Sequence, residues 1–149
     1  MPLETERKFI VAGEFRDQAS GSVEIVQRYL SVDPARTVRI RICNEKAVLT
    51  IKAMTSEGYL SRNEWETELE LDDAEQIMNI CIPGKVVKTR YYVPAGEHIF
   101  EVDVFHEHNE GLVIAEVELS YPGEPFTRPG WLGEEVTGNP AYYNSNLIK

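Results

Sequence analysis

Charge alternates with apolar character through most of this chain. A period of two belongs on a β-strand, where successive side chains point to opposite faces, and not on a helix. In LETERKFIV, Glu4, Glu6 and Lys8 share one face while Leu3, Phe9 and Val11 take the other. TVRIRI sets Arg39 and Arg41 among Val38, Ile40 and Ile42, and AVLTIK opposes Lys52 to Leu49 and Ile51. Asn44 and Glu45 between these runs suit a tight hairpin connection. The stretch from Arg62 to Leu71 puts Arg62, Glu64, Glu66, Glu68 and Glu70 opposite Trp65, Leu69 and Leu71. Three further strands are expected: Val86 to Val93 with Lys88 and Arg90, Ile99 to Phe105 with Glu101 and Asp103, and Leu112 to Leu119 with Glu116 and Glu118. On the last of these, Val117 and Leu119 belong to the opposite, outward face.

Helical signals are few. Asp72, Asp73, Ala74 and Glu75 read as an N-cap with an acidic residue three positions on, followed by Ile77, Met78 and Cys81 at helical spacing and the stop Pro83-Gly84. Gly13 to Gly21 has too thin a periodicity to decide for a short helix, and Tyr121 to Gly138, rich in Pro and Gly, reads as an ordered loop. Asn139-Pro140 is a good cap and first turn for a terminal helix. With 149 residues and no linker or repeat, one domain over 1–149 is expected, mainly β with a few short helices.

Fifteen basic against 25 acidic residues give a net charge of −10, which argues against a nucleic-acid partner. No run approaches the roughly 18 apolar residues of a membrane span, and the charges in MPLETERKFIV leave no secretory h-region. Cys43 and Cys81, far apart and without CxxC spacing, fit reduced, core-like thiols, so a cytoplasmic location is expected. His106-Glu107-His108 is expected in a solvated turn, and Trp65 and Trp131 in packing roles.

For any one strand a solvated charged face is the simpler account. Taken together, seven bases (Lys8, Arg39, Arg41, Lys52, Arg62, Lys88, Arg90) and seven acids (Glu4, Glu6, Glu64, Glu66, Asp103, Glu116, Glu118) repeat at alternate positions. If the sheet closes into a barrel, these charges converge in its lumen. Buried charge at that density is costly unless paired or occupied, so binding explains it better than stability does. Arg and Lys match phosphate oxygens, and paired carboxylates suit a hard divalent cation, Mg²⁺ or Mn²⁺. A barrel this small, with few helices to cover its outer faces, also makes a homodimer an expectation.

Glu4-Thr5-Glu6-Arg7-Lys8 has the form ExExK. After it come Gln27, Tyr29 and Leu30, the RxR pair Arg39 and Arg41, TIK ending in Lys52, and RxExE as Arg62, Glu64 and Glu66. KxR then appears as Lys88 and Arg90, ExDxF as Glu101, Asp103 and Phe105, and ExE as Glu116 and Glu118. In this order the motifs resemble the CYTH superfamily, the triphosphate tunnel metalloenzymes, over nearly the whole chain, and Tyr142 to Leu147 is similar to the family's C-terminal helix. The resemblance implies an eight-stranded antiparallel β-barrel, a tunnel that binds a linear triphosphate with divalent metal and transfers a phosphoryl group to water.

In that resemblance Lys8, Arg39, Arg41, Lys52, Lys88 and Arg90 cradle phosphate, and Arg62 contacts substrate and orders the acidic cluster. Glu4, Glu6, Asp103, Glu116 and Glu118 supply metal ligands, Glu64 and Glu66 serve water activation, and these two with Lys88 and Tyr29, which sits near one tunnel end, are the catalytic residues. The family spans adenylate cyclases of class IV, thiamine and RNA triphosphatases, and small bacterial inorganic triphosphatases, and a chain this short looks most like the last. Nucleoside or thiamine triphosphate hydrolysis, then cyclase activity, are the alternatives, together with a polyphosphate-binding module that turns nothing over.

Overall fold

Asn44 takes a φ of 59°, the left-handed conformation that a two-residue hairpin turn demands, and so joins β3 (Arg36–Cys43) to β4 (Lys46–Thr55). The computed structural model describes residues 3–56 and 58–148, with the backbone alone at 58 and 59. The remaining strands are β1 (Leu3–Val11), β2 (Gly21–Asp33), β5 (Gly58–Leu69), β6 (Val86–Ala95), β7 (His98–Phe105), β8 (Val113–Leu119) and β9 (Leu132–Glu135). Their order is β5-β4-β3-β2-β6-β7-β8-β1, and pairing of β1 with β5 closes the first eight strands into an antiparallel barrel.

The closing seam is short. Among the described residues, Leu3, Glu4 and Thr5 of β1 pair with β5, at Asn63, Arg62 and Ser61, before the two strands part. From Phe9 to Val11 the same edge of β1 is taken by β9, where Gly133 comes so close that a Cβ would lie 2.7 Å from the Ile10 carbonyl oxygen. Beyond β9 the tail stays against β1 through Val136 N–H on the Lys8 carbonyl and Thr137 Oγ1 accepting from Lys8 N–H.

Two of the three apolar clusters lie outside the barrel wall. Phe9, Val93, Phe100, Val102, Ala115, Val117 and Leu119 are covered by Phe15, Phe126 and Trp131 from the flanking loops. Edge-on ring contacts, such as Phe100 to Trp131 at 5.3 Å, set the fit. On the other side α1 (Leu71–Ile80) lays Ala74, Ile77 and Met78 on Ile40, Ala47 and Leu49 of β3 and β4. A third cluster, Ile10, Val86, Phe105 and Ile114 with Tyr142, Leu147 and Ile148, closes one end of the lumen.

Several expectations change. The helix begins at Leu71, one residue before the expected Asp72 cap, with Glu70 making no side-chain cap bond; Asp72 and Asp73 sit instead in the first turn, where they complement the helix dipole. Gly13 to Gly21 contains only a 3₁₀ turn, Arg16–Gln18, and β9 lies within the stretch expected to be loop. The terminal helix is two 3₁₀ turns, Pro140–Tyr142 and Asn144–Asn146, separated by Tyr143 in extended conformation. Asn, Ser and Asn here compete with the helical backbone for hydrogen bonds, and Asn139 Oδ1 accepts from Ala141 N–H. Trp131 is packed as expected, whereas Trp65 stands outward but 43% exposed, because α1 covers only part of the face formed by β3, β4 and β5. Cys81 packs under α1, but Cys43 is half-buried on the same face of β3 as Arg39 and Arg41. Glu107 and His108 are exposed in a 3₁₀ turn, as expected, with His108 Nε2 on the Leu147 carbonyl at 2.7 Å, whereas His106 is half-buried with Nε2 on Thr89 Oγ1 at 2.7 Å. No helix among the described residues is long and apolar enough to cross a membrane.

Candidate active site

Strand parity decides what enters the lumen. Register pairs Lys52 with Glu64, Thr50 with Glu66, Arg39 with Thr50 and Tyr29 with Arg39 on one half, and Arg90 with Asp103, Glu101 with Glu116 and Lys8 with Glu116 on the other. Directly paired residues share a face, so every charged position expected to converge lies on the inner one. The lumen holds a cavity of about 200 Å³ lined by all of these except Asp103, which is wholly buried in the wall behind Lys88 and Arg90.

Most lumen cations have carboxylate partners. Lys52 Nζ lies 2.8 Å from Glu4 and 3.4 Å from Glu64, Lys8 is 3.8 Å from Glu116, and Arg62 is 3.8 Å from Glu6. Arg90 grips Asp103 with Nε and Nη2 at 2.8 and 3.0 Å, reaches Glu101 at 3.2 Å, and Lys88 Nζ shares Asp103 at 2.8 Å. Both Asp103 oxygens are therefore occupied by cations. Burial opposes its ionisation, but Arg90 and Lys88 outweigh that and hold its carboxyl below the usual range. For Lys88, burial prevails over Asp103 and draws the ammonium down to about 7.

Arg39 and Arg41 are different. Among the described residues neither makes an ion pair; Arg39 Nε has no hydrogen-bond partner, and Arg41 donates only to the Gln27 side-chain oxygen, at 3.1 and 2.9 Å. Burial, with Arg39 and Arg90 alongside, pushes Arg41 down to about 10. Burial opposes the Arg39 charge, but Tyr29, Glu4 and Glu64 outweigh that and raise Arg39 above its ordinary value. The lumen thus holds two adjacent guanidinium groups with no carboxylate in direct contact, and for Arg41 the uncompensated charge is costly in a way that an anion relieves.

The acids gather in facing pairs. Glu6 and Glu116 share a hydrogen bond, and burial, the Glu116 charge and Glu4 together push Glu6 up to about 8. Glu116 goes the other way: burial is outweighed by Lys8 and Arg90, which keep it well below the ordinary carboxylate value. Glu4 is raised by burial and bonded to Glu64, and Glu118 is raised by burial with Glu4, Glu64 and Glu101 nearby. Glu66 stands exposed at the rim, where it accepts from Thr50 Oγ1 at 2.8 Å. Oxygen-only donors in like-charged pairs suit a hard divalent cation. Among the described residues no three of them converge tightly enough to hold one alone.

Alternation could not disclose two polar participants of the lumen. Gln27, fully buried, bonds Arg41, and its Nε2 donates to the Tyr29 hydroxyl at 3.0 Å; Asn144, from the tail, accepts from Lys88 Nζ at 2.8 Å. Gln27 stood in the quoted motifs without a role, and Asn144 fell in a segment read as helix.

Known proteins resemble this chain in sequence and fold. The chain is 42% identical to an inorganic triphosphatase of Acetivibrio thermocellus over 150 aligned residues, covering all of this chain and 95% of that one. An inorganic triphosphatase of Nitrosomonas europaea is 35% identical over 97% of this chain and 95% of its own length. The crystal structure of the inorganic triphosphatase NE1496 aligns with a TM-score of 0.65 at 32% identity, covering 97% of this chain and 96% of that one. The model of the CYTH domain matches residues 2–146, the entire barrel and most of the tail, and the chain belongs to that family.

Proposed function

We propose that this chain hydrolyses a linear triphosphate, in the first place inorganic tripolyphosphate, to pyrophosphate and phosphate with Mg²⁺ or Mn²⁺. The observation that carries the proposal is the pair Arg39 and Arg41, half-buried side by side with no carboxylate in direct contact, in a lumen whose other cations already have carboxylate partners. A short chain of phosphates supplies the missing negative charge along the row from Lys8 and Lys88 through Arg41, Arg39 and Arg90 to Lys52 and Arg62. Three relatives named as inorganic triphosphatases support the substrate class.

Glu4, Glu6, Glu116 and Glu118 would hold the cation, with phosphate oxygens and water completing its shell, and Asp103 would serve it by fixing Lys88 and Arg90. Once bound, such a cation neutralises charge on the phosphate oxygens. The protein's own part is positioning, since phosphoryl transfer needs alignment and charge stabilisation more than covalent help. Glu64 and Glu66, near the rim, are placed to accept a proton from the attacking water. Lys88, drawn by burial to about 7, can carry a proton at Nζ to the departing phosphate oxygen near neutral pH. Tyr29, 2% exposed, holds its hydroxyl on Gln27 beside Arg39.

Phosphate release from tripolyphosphate, ATP, thiamine triphosphate and pyrophosphate, with Mg²⁺, with Mn²⁺ and in excess chelator, tests the proposal. Turnover of tripolyphosphate that stops with chelator and returns with either metal is expected. Undiminished turnover in chelator, or none with any metal, overturns it.

A further inference from the structure

The tail does more than cover the barrel. Where β1 and β5 part, residues 136–138 lie along β1, and Tyr143, Asn144 and Ser145 line the lumen. Two side chains fasten this strap: Asn109 Nδ2 and His108 Nε2 both meet the Leu147 carbonyl at 2.7 Å, while Leu147 and Ile148 pack on the apolar closed end. Lys8 Nζ donates to the Tyr142 carbonyl at 3.0 Å. Asn144 is therefore presented on a fixed element.

Its side chain continues a short network. Asn144 Oδ1 accepts from Lys88 Nζ at 2.8 Å and from Gln27 Nε2 at 3.2 Å, and Gln27 Oε1 accepts from two nitrogens of Arg41. An amide oxygen aims a cation as a carboxylate does, by accepting its hydrogens, but leaves the charge intact. Elsewhere in the lumen Lys8, Lys52, Arg62 and Arg90 are aimed by carboxylates. Here Arg41 has only an amide, and Lys88 shares its one carboxylate with Arg90.

We propose that Asn144 and Gln27 are positioning residues: two neutral amides, one on the strap and one on β2, that aim Lys88 and Arg41 at the substrate while leaving their positive charge for phosphate. The inference rests on the triphosphate assignment made above. It requires neutrality at both positions, not merely a hydrogen-bond acceptor of the right shape.

Asn144→Asp separates the two requirements, because it keeps shape and acceptor and adds only charge. The new carboxylate faces Lys88, so the melting temperature stays level or rises, while KM for tripolyphosphate increases about tenfold or more as the charge competes with phosphate. Gln27→Glu brings the same charge to Arg41 and is expected to raise KM likewise, but it also loses the Nε2 donor to Asn144 Oδ1, so its melting temperature falls. Asn144→Ala, which frees Lys88 without adding charge, lowers kcat more than it changes KM. A residue that merely holds the fold together would let KM follow stability. Wild-type KM in Asn144→Asp and Gln27→Glu, or a rise in KM for Asn144→Asp only alongside a fall in its melting temperature, overturns the inference. If the wild-type chain releases no phosphate from tripolyphosphate, the substrate assignment falls and this inference with it. A turning-over wild type beside unaffected acidic variants overturns this inference alone.

Discussion

Glu116 and Val117 are neighbours on β8 with opposite destinies, and substituting each alone tests whether the inner face works and the outer face holds. Val117 has no exposed surface and sits in the cluster of Phe100, Phe9 and Trp131 outside the wall. Val117→Ala removes two methyl groups, about 1.6 kcal/mol of transfer energy at roughly 0.8 kcal/mol each, and the cavity left behind brings the cost to about 2–3 kcal/mol. For a chain of this size that lowers the melting temperature by roughly 4–12 °C, with turnover below the transition unchanged. Glu116→Gln keeps the shape and removes one charge from a facing pair with Glu6. Losing the 3.8 Å attraction to Lys8 is offset by relief of Glu6, so stability is expected to change little. Turnover should fall by about 100-fold or more, as when one charge-stabilising group is removed from a phosphoryl or acyl transfer site, and more Mg²⁺ should be needed for half-maximal rate. Thermal melts and phosphate release against metal concentration decide both. A Glu116→Gln chain with wild-type turnover and metal response would mean that the inner face is merely charged; a Val117→Ala chain of unchanged stability would mean that the outer face does not hold the barrel.

Two further outcomes are expected. Arg39→Ala removes a charge-assisted fork worth about 1.5–3 kcal/mol, so calorimetric titration with tripolyphosphate should show affinity weakened roughly 10- to 150-fold, while the apo melting temperature falls only modestly, because Glu4 and Glu64 favour the Arg39 charge without touching it; unchanged affinity would remove β3 from the cradle. Glu6 keeps its proton in the folded state up to about 8 but in the unfolded chain only to about 4.5, so its stabilising contribution is whole below 4.5 and is lost as pH rises through about 8. The slope is at most about 1.4 kcal/mol per pH unit, and melts of Glu6→Gln between pH 5 and 8 should therefore be flatter than wild type; equal slopes would show that Glu6 titrates normally.

The inner face was legible because strand parity is all or nothing: once Arg39 and Arg41 alternate with Val38, Ile40 and Ile42, the pleat sends one set in and the other out. Closure could be argued from the cost of so many charges, and the turn at Asn44 from its conformational tolerance. Other features depend on distant contacts that leave no periodic trace. β9 exists because Gly133 permits close approach to β1, and the strap is bent by Asn139, Pro140 and Tyr143 into turns that no apolar stripe predicts. Asn144 looks like any polar helix residue until it is placed beside Lys88. Trp65 follows its parity but lacks the cover that its size invites, since the extent of α1 is fixed by how far Ala74 and Ile77 reach over β3 and β4.

The three-residue seam between β1 and β5 has a consequence for the order in which the molecule assembles. β1 is made first, yet its partners are β5, β8 and β9, and β9 ends at residue 135. Beyond the three residues that β5 can take up, the strand must therefore wait unpaired until β8 and β9 are made, and then lock by contacts spanning more than a hundred positions of sequence. Such long closures set slow folding rates and leave a strand edge open to other chains meanwhile. Four charged residues in that strand, Glu4, Glu6, Arg7 and Lys8, keep the waiting edge from sticking to another before it is needed. The residues that serve the lumen in the finished barrel thus guard the nascent chain before the lumen exists.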